Sequence, residues 1–299
     1  MIIQEGLFLK DWTSWQIGGP AEFFCLPETK EDLVQAVQWA LQRKYPITVL
    51  GGGSNVLISD RGLRGLVICL AKFAQLKWFK EGQNLHIECF AGTGKNEILK
   101  VLLKHKNPAA LFLAGLPGDA GGGVVMNAGV SEKIHPREFG DIVSSFEVLK
   151  AENGALAFKT FQHSDIEWSY RHSLNWQPGI ISQVNIKVPW IEDSTLIARV
   201  REANLMRLSK QPLDLPSCGS VFINPSGYKA AQLIEQSGLK GRRMGDAQVS
   251  LKHANFIVNL GKASAQDTWA LMLEVQKSVL EKTGVQLHTE VVKMGEFDS

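Results

Sequence analysis

The chain has 299 residues, 44% of them hydrophobic, and carries 32 Lys and Arg against 30 Asp and Glu. At roughly 150 residues per domain, that length predicts two domains with enough apolar material for packed cores. Near-balanced charge without long runs of one sign argues against nucleic acid or an anionic membrane surface, and no apolar run approaches the ~20 residues of a membrane span, so the expected partners are small molecules.

Met1–Trp15 carries Glu5, Lys10 and Asp11 and lacks a signal-peptide pattern, so a cytoplasmic location is expected. Thr29 and Asp32 predict a capping box before a helix to about Lys44, with Leu33, Val34, Val37, Ala40 and Leu41 on one face. Pro46 ends that helix. Ile47–Leu50 reads as a strand, Gly51-Gly52-Gly53-Ser54-Asn55 as a loop, Val56–Ile58 as a second apolar run and Leu66–Leu70 as a strand. Gly92-Thr93-Gly94-Lys95 imitates the end of a P-loop, but position 89 is Cys and Asn96 replaces the Ser or Thr that would bind Mg²⁺, so a strand followed by a helix over Lys95–Lys106 is expected.

Gly115–Gly129 contains six glycines and neither Lys nor Arg. Without Cβ atoms such backbone can approach a ligand closely, and successive N–H groups suit phosphate or pyrophosphate oxygens. The Gly51–Asn55 loop joins strand to strand, whereas Rossmann and P-loop glycines lie between a strand and a helix, which argues against both. Strands are expected near Ile142–Leu149 and Ile180–Val188, then a boundary over Pro189–Ser194. Helices are predicted over Thr195–Ser209 and Tyr228–Ser237, a strand over Gln248–Asn259, and a helix from Ser264, capped with Asp267 and burying Leu271, Met272, Val275 and Val279. A strand over Val285–Val292 closes the chain. Cys25, Cys69, Cys89 and Cys218 form no CxxC and no Cys/His cluster, so four buried reduced thiols and no metal site are expected.

Six motifs, in order, resemble the UDP-N-acetylenolpyruvoylglucosamine reductase family of peptidoglycan synthesis. Thr13-Ser14-Trp15-Gln16-Ile17-Gly18-Gly19-Pro20-Ala21 is similar to its N-terminal signature, Leu50–Asn55 and Gly115–Gly129 to its two FAD loops, and Tyr170-Arg171-His172-Ser173 to its Tyr-Arg-x-Ser element. Ser217–Phe222 with Asn224-Pro225 resembles the proton-donor segment, and His253–Asn259 with Leu287–Val291 the closing motifs. The resemblance spans nearly the whole chain and implies the family's shorter, second subtype. It implies an α+β protein with an FAD-binding fold of the PCMH/vanillyl-alcohol-oxidase type, two lobes at about 1–70 and 71–193, and a C-terminal α/β substrate-binding domain over 194–299. The implied cofactors are non-covalent FAD and NADPH as reductant, the partner a UDP-sugar nucleotide, and the protein a monomer. The competing readings are a related non-covalent FAD oxidase of a sugar or alcohol, and a nucleotide-binding flavoprotein without turnover.

Flavin binding is thereby assigned to Gly51, Gly52, Gly53, Ser54, Asn55, Gly115, Gly118, Gly122, Gly123 and Asn127. The catalytic roles fall to Arg171, Ser220 and Glu290. From spacing alone the plainer readings are favoured, Arg171 as a surface or structural ion pair, Ser220 as a loop hydroxyl and Glu290 as a solvated edge charge. The resemblance implies that Arg171 polarises the substrate carboxylate, that Ser220 protonates C2, and that Glu290 stabilises the enolic intermediate as an acid whose pKa burial can raise. Tyr170, Asn224 and His253 are implied substrate contacts, with Tyr228 a further candidate; Arg242 and Arg243 read as a phosphate contact or as a solvated basic loop. The chain departs from the family pattern at Asp119, where Thr or Ser is common, at Val130-Ser131-Glu132, at Ile223 and at His288-Thr289. Asp119 brings negative charge to the expected pyrophosphate loop.

Overall fold

The structure is a computed structural model that describes residues 1–130, 134–152 and 154–298; Ser131 and Glu132 of the altered loop exit lie outside them. Two compact units emerge: unit 1 comprises 1–3, 25–52 and 68–206, and unit 2 comprises 4–24, 53–67 and 207–299. This division departs from the expected 193/194 boundary, because two early segments belong with the C-terminal residues. The reason lies in buried polar contacts: the Trp15 indole, 1% exposed, donates to the Ile257 carbonyl at 2.7 Å, and Asn259 Nδ2 donates to the Trp15 carbonyl at 3.0 Å. The strand Val56–Ile58 also pairs in parallel with Val292–Met294.

Unit 1 is built on a five-stranded antiparallel sheet in the order Leu76–Glu81, Asn84–Phe90, Ile180–Pro189, Val143–Glu152, Ala155–Gln162. Alternation sets its inner face: Leu85, Ile87 and Cys89 are buried on one strand, Val184, Ile186 and Val188 on the next. The helix Lys30–Arg43 starts as predicted, with Thr29 Oγ1 accepting from the Asp32 N–H at 3.1 Å and Asp32 Oδ2 accepting from the Thr29 N–H at 3.2 Å. It buries Leu33, Ala36, Val37 and Ala40, while Leu41 stays exposed. Lys95 opens the helix Lys95–Lys104, so the P-loop imitation is a strand-to-helix turn as expected.

The second glycine run is only partly a loop, since Ala120–Val125 forms one short helix. Three glycines in six residues oppose helix formation. Asp119 offsets this by accepting from the Gly122 N–H at 2.7 Å as N-cap, and the Gly121 N–H donates to the Ala91 carbonyl at 2.8 Å.

Unit 2 centres on a three-stranded antiparallel sheet, Arg243–Met244, Ala247–Val249 and Ile257–Asn259, packed by the helices Ala230–Gln236 and Ala265–Thr283. The single strand expected over Gln248–Asn259 is therefore two, joined by a turn in which the Ser250 hydroxyl accepts from the Lys252 and His253 N–H groups. The closing helix begins as predicted, with the Ser264 hydroxyl accepting from Asp267 N–H at 2.9 Å, and it buries Leu271, Met272, Val275 and Val279. The final strand runs over Val292–Met294 and shares only Val292 with the expected Val285–Val292. All four cysteines are free and buried, as expected. No helix among the described residues is long and apolar enough to cross a membrane.

Candidate active site

In unit 1, Gly51–Gly52 meets the second glycine segment. A Cβ on Gly51 would collide with the Asp119 carboxylate, and one on Gly52 would lie 3.0 Å from Gly118 Cα, so only glycine permits this approach of backbones. Asp119, 5% exposed, accepts from the Gly122 N–H through Oδ1 and from the Gly52 N–H through Oδ2. Burial pushes its carboxyl pKa up, opposed by those two N–H groups and by the charge of Lys95, itself buried. The N–H groups of Gly118 and Asp119 donate to no protein acceptor among the described residues. Neutral, side-chain-poor backbone with unused donors fits pyrophosphate oxygens, so the residues present suit FAD. Gly123 serves packing, since a Cβ there would strike the Phe139 ring.

Asn127 is fully buried, and its amide is used within the protein: Oδ1 accepts from the Gly140 N–H at 2.8 Å and Nδ2 donates to the Ser169 carbonyl at 3.0 Å. It thus anchors the hairpin of Glu167–Ser169 with His172–Leu174, whose two-residue turn is Tyr170-Arg171. Arg171 has φ +64°, a left-handed conformation that a side chain adopts at a cost of about 1–2 kcal/mol. Its guanidinium donates to the Gly129 carbonyl at 3.0 Å and lies 4.5 Å from the Tyr170 ring centroid. The strained turn therefore holds a guanidinium beside the exit of the glycine segment. Ser173 is buried and accepts from the Trp176 indole at 3.0 Å, which makes the motif's serine a structural member of the hairpin.

In unit 2, Ser220 and Glu290 are brought together by backbone pairing. Phe222 bridges Thr289 antiparallel, the Glu290 N–H donates to the Val221 carbonyl at 2.8 Å, and the Ile223 N–H donates to the His288 carbonyl at 2.9 Å. Asn55, at the end of the first glycine loop, donates through Nδ2 to the Glu290 carbonyl at 3.0 Å and accepts from the Val292 N–H at 3.0 Å. Its side chain thus serves Glu290's segment. Cys218 is buried, and burial together with the Glu290 charge holds its thiol well above the usual range. The pairing sets the Ser220 hydroxyl and the Glu290 carboxyl on adjacent segments.

Asn255 escapes sequence reading. Only 4% exposed, it accepts from the Phe222 N–H at 3.0 Å and donates to the Phe222 carbonyl at 2.8 Å, while its own carbonyl accepts from the Val221 N–H at 2.9 Å. In an antiparallel pair, a residue between two bonded neighbours turns its own N–H and C=O outward. Asn255 satisfies those outward groups and so fixes the Ser220 segment. An amide in the otherwise apolar run Ala254–Val258 was the available signal. His253 is half-buried and lies edge-on to Phe256 at 4.7 Å; burial, aided by Lys240, lowers its pKa. Asn224 accepts from the Ala230 N–H at 3.0 Å, at the start of a helix, and Tyr228 is exposed. Arg242 pairs with Glu274 at 2.7 Å and Arg243 with Asp246 at 3.1 Å, so both guanidiniums are engaged with carboxylates. The described residues hold no cluster of metal-ligating side chains.

Residues 211–294 match the family described as UDP-N-acetylenolpyruvoylglucosamine reductase, C-terminal domain, and residues 21–157 match an FAD binding domain. The chain is 37% identical to the UDP-N-acetylenolpyruvoylglucosamine reductase of Synechococcus sp. (strain WH7803), over 98% of this chain and 94% of the relative. It is also 37% identical to that of Caldanaerobacter subterraneus subsp. tengcongensis, over 99% and 96% of the two chains. The crystal structure of the Thermus caldophilus reductase superposes with a TM-score of 0.76 at 31% identity, covering 98% of this chain and all of the other.

Proposed function

This chain belongs to the UDP-N-acetylenolpyruvoylglucosamine reductase family, and on that premise we propose how its residues reduce the enolpyruvyl ether of the UDP-sugar to a lactyl ether in peptidoglycan precursor synthesis. The glycine loops would hold FAD, which, once reduced by hydride from NADPH, would supply the hydride that adds to C3. The protein does the rest. A vinyl ether accepts a hydride only when charge arriving on its carboxylate side is stabilised. Arg171 is the residue for that task, because a guanidinium presents a planar fork to a carboxylate and stabilises charge that grows in the transition state.

Ser220 gives its proton to C2. A hydroxyl is a weak acid in water, but the enolate-like acceptor is strongly basic, so the transfer is favourable there. Glu290 steadies the same centre when it is protonated and can donate a hydrogen bond, since an ionised carboxylate would repel the growing charge. The observation that carries this reading is the pairing of the Ser220 and Glu290 segments through Val221 and Phe222. Tyr170, Asn224 and His253 are proposed to contact the sugar nucleotide, and the protein is proposed to act as a cytoplasmic monomer.

The deciding experiment is NADPH oxidation with and without the enolpyruvyl sugar nucleotide, with product identified by mass. Substrate-dependent lactyl-ether formation is expected, and its absence would sink the assignment. Heat-denatured protein is expected to release free FAD, since Gly51–Asn55 offers no His or Cys for a covalent bond; flavin remaining on the chain would refute the reductase assignment.

A further inference from the structure

Asp119 is the buried charge that the proposed reaction does not use. As a helix cap it needs one oxygen, and Oδ1 meets that need at the Gly122 N–H. Its other oxygen reaches to the Gly52 N–H, in the other glycine loop. A single carboxylate thus draws together one N–H from each loop. Next to it, the N–H groups of Gly118 and of Asp119 itself have no protein acceptor among the described residues. The ligand these loops are read to hold is also an anion that takes main-chain N–H groups. A neutral hydroxyl here could donate to a phosphate oxygen, whereas an ionised carboxylate can only accept.

We propose that Asp119 is a built-in anion of the flavin cradle, competing with the flavin pyrophosphate for the Gly52 and Gly122 N–H groups, so that this chain releases FAD as the carboxylate ionises. The proposal rests on the reading of the glycine loops as the pyrophosphate site. Its sign follows from charge: the ionised carboxylate holds both N–H groups firmly and repels the pyrophosphate, while the protonated acid holds them weakly and carries no charge. Flavin affinity therefore falls as pH rises.

The groups facing Asp119 make the effect assignable. Lys95 opposes it with a positive charge, and burial raises the thiols of Cys69 and Cys89 to about 11 and about 12, so neither ionises near neutrality. Burial pushes the Asp119 carboxyl up from the ordinary carboxylate range, against the Gly122 and Gly52 N–H groups and the Lys95 charge. The flavin pyrophosphate keeps its charge near neutrality.

The test is equilibrium dialysis of the flavin-loaded protein against graded free FAD, read by flavin fluorescence, from about pH 5.5 to 8.5. Asp119→Ser replaces the carboxylate with a neutral hydroxyl that can donate. Asp119→Asn keeps the shape and the Gly122 contact without charge, which guards against a folding artefact. In the parent, the FAD dissociation constant is expected to rise about tenfold or more across this range; in both variants it should change less than about twofold and be lower than the parent's at pH 8.5. Histidines elsewhere are common to all three proteins, so the difference reports Asp119. Identical profiles in all three proteins overturn the proposal and leave the flavin reading standing. Weaker FAD binding by both variants at every pH makes the carboxylate a structural connector and likewise overturns it. Absence of FAD binding by all three proteins overturns the loop reading and the proposal together.

Discussion

Asn255→Ala is the sharpest test of how the Ser220 segment is held. The substitution removes an acceptor 3.0 Å from the Phe222 nitrogen and a donor 2.8 Å from the Phe222 oxygen, at a residue pair that is 4% and 2% exposed. A buried polar group left without its partner costs about 1–3 kcal/mol. Two such groups set an upper bound near 6 kcal/mol, but the carbonyl tolerates loss better than the N–H, and a water can enter the polar space vacated by the amide. A destabilisation of about 2–4 kcal/mol is therefore expected. Asn255→Asp separates the two contacts, because it keeps the acceptor for the Phe222 N–H and sets a carboxylate against the Phe222 carbonyl. Its loss should equal or exceed that of the alanine variant. Urea unfolding followed by Trp fluorescence measures both, with Trp15 reporting on unit 2 through its bond to Ile257. An alanine variant within about 0.5 kcal/mol of the parent, the range of surface substitutions, refutes the argument that Asn255 completes the pairing of Phe222.

Ser220→Ala should leave flavin reduction by NADPH unchanged and slow reoxidation by the enolpyruvyl substrate about 10²–10⁴-fold, as stopped-flow flavin absorbance would show; equal loss in both half-reactions contradicts the proton-donor role. Gly53→Ala places a Cβ against the Trp12 carbonyl at a residue with φ +61°, so purified protein should carry little flavin and unfold at lower temperature. Thr29→Ala removes the capping hydroxyl of the helix Lys30–Arg43 and should cost about 1 kcal/mol, without altering substrate turnover. His253 has a folded pKa lowered by burial, so the unfolded chain binds the extra proton first: the stability linked to it is fully present above the unfolded value of about 6.5 and is lost as pH falls through that value toward the folded one. His253→Gln should flatten this part of the urea-midpoint profile between pH 7.5 and 5.5, and an unchanged slope would remove His253 as its source.

Local signals were legible wherever local chemistry decides the outcome. The caps at Thr29 and Ser264 and the buried stripe Leu271–Val279 need only their own neighbours in sequence, and they form as read. The breaks have a common origin in distant contacts. Ala120–Val125 becomes helical despite its glycines because Asp119 caps it and Ala91 receives the Gly121 N–H. The apolar run Ala254–Phe256 is buried without being a strand, because His253–Phe256 turns back and the Ser250 N–H donates to the Phe256 carbonyl at 2.8 Å. Similarly, the unit division places Gln4–Phe24 with the C-terminal residues through Trp15, a partner 242 positions away from Ile257 that no periodicity reveals.

The candidate site divides along the same line. Arg171, Ser220 and Glu290 could be named from motifs, because chemistry fixes which residue types can do their work. What holds them was harder to see, and it is done largely by buried amides. Asn127 binds the Ser169 carbonyl and the Gly140 N–H, Asn255 both polar groups of Phe222, and Asn55 the Glu290 carbonyl. Each presents to irregular backbone the donor or acceptor that a neighbouring strand would otherwise supply. Regular structure satisfies its own polar groups, but a backbone bent to form a glycine cradle or to bring a serine beside a glutamate does not. An Asn within an apolar or glycine-rich segment is thus best explained by asking which backbone groups nearby lack partners. By that accounting the Asn127 side chain serves the hairpin that carries Arg171, and Asn255 serves the segment that carries Ser220, the proposed proton donor.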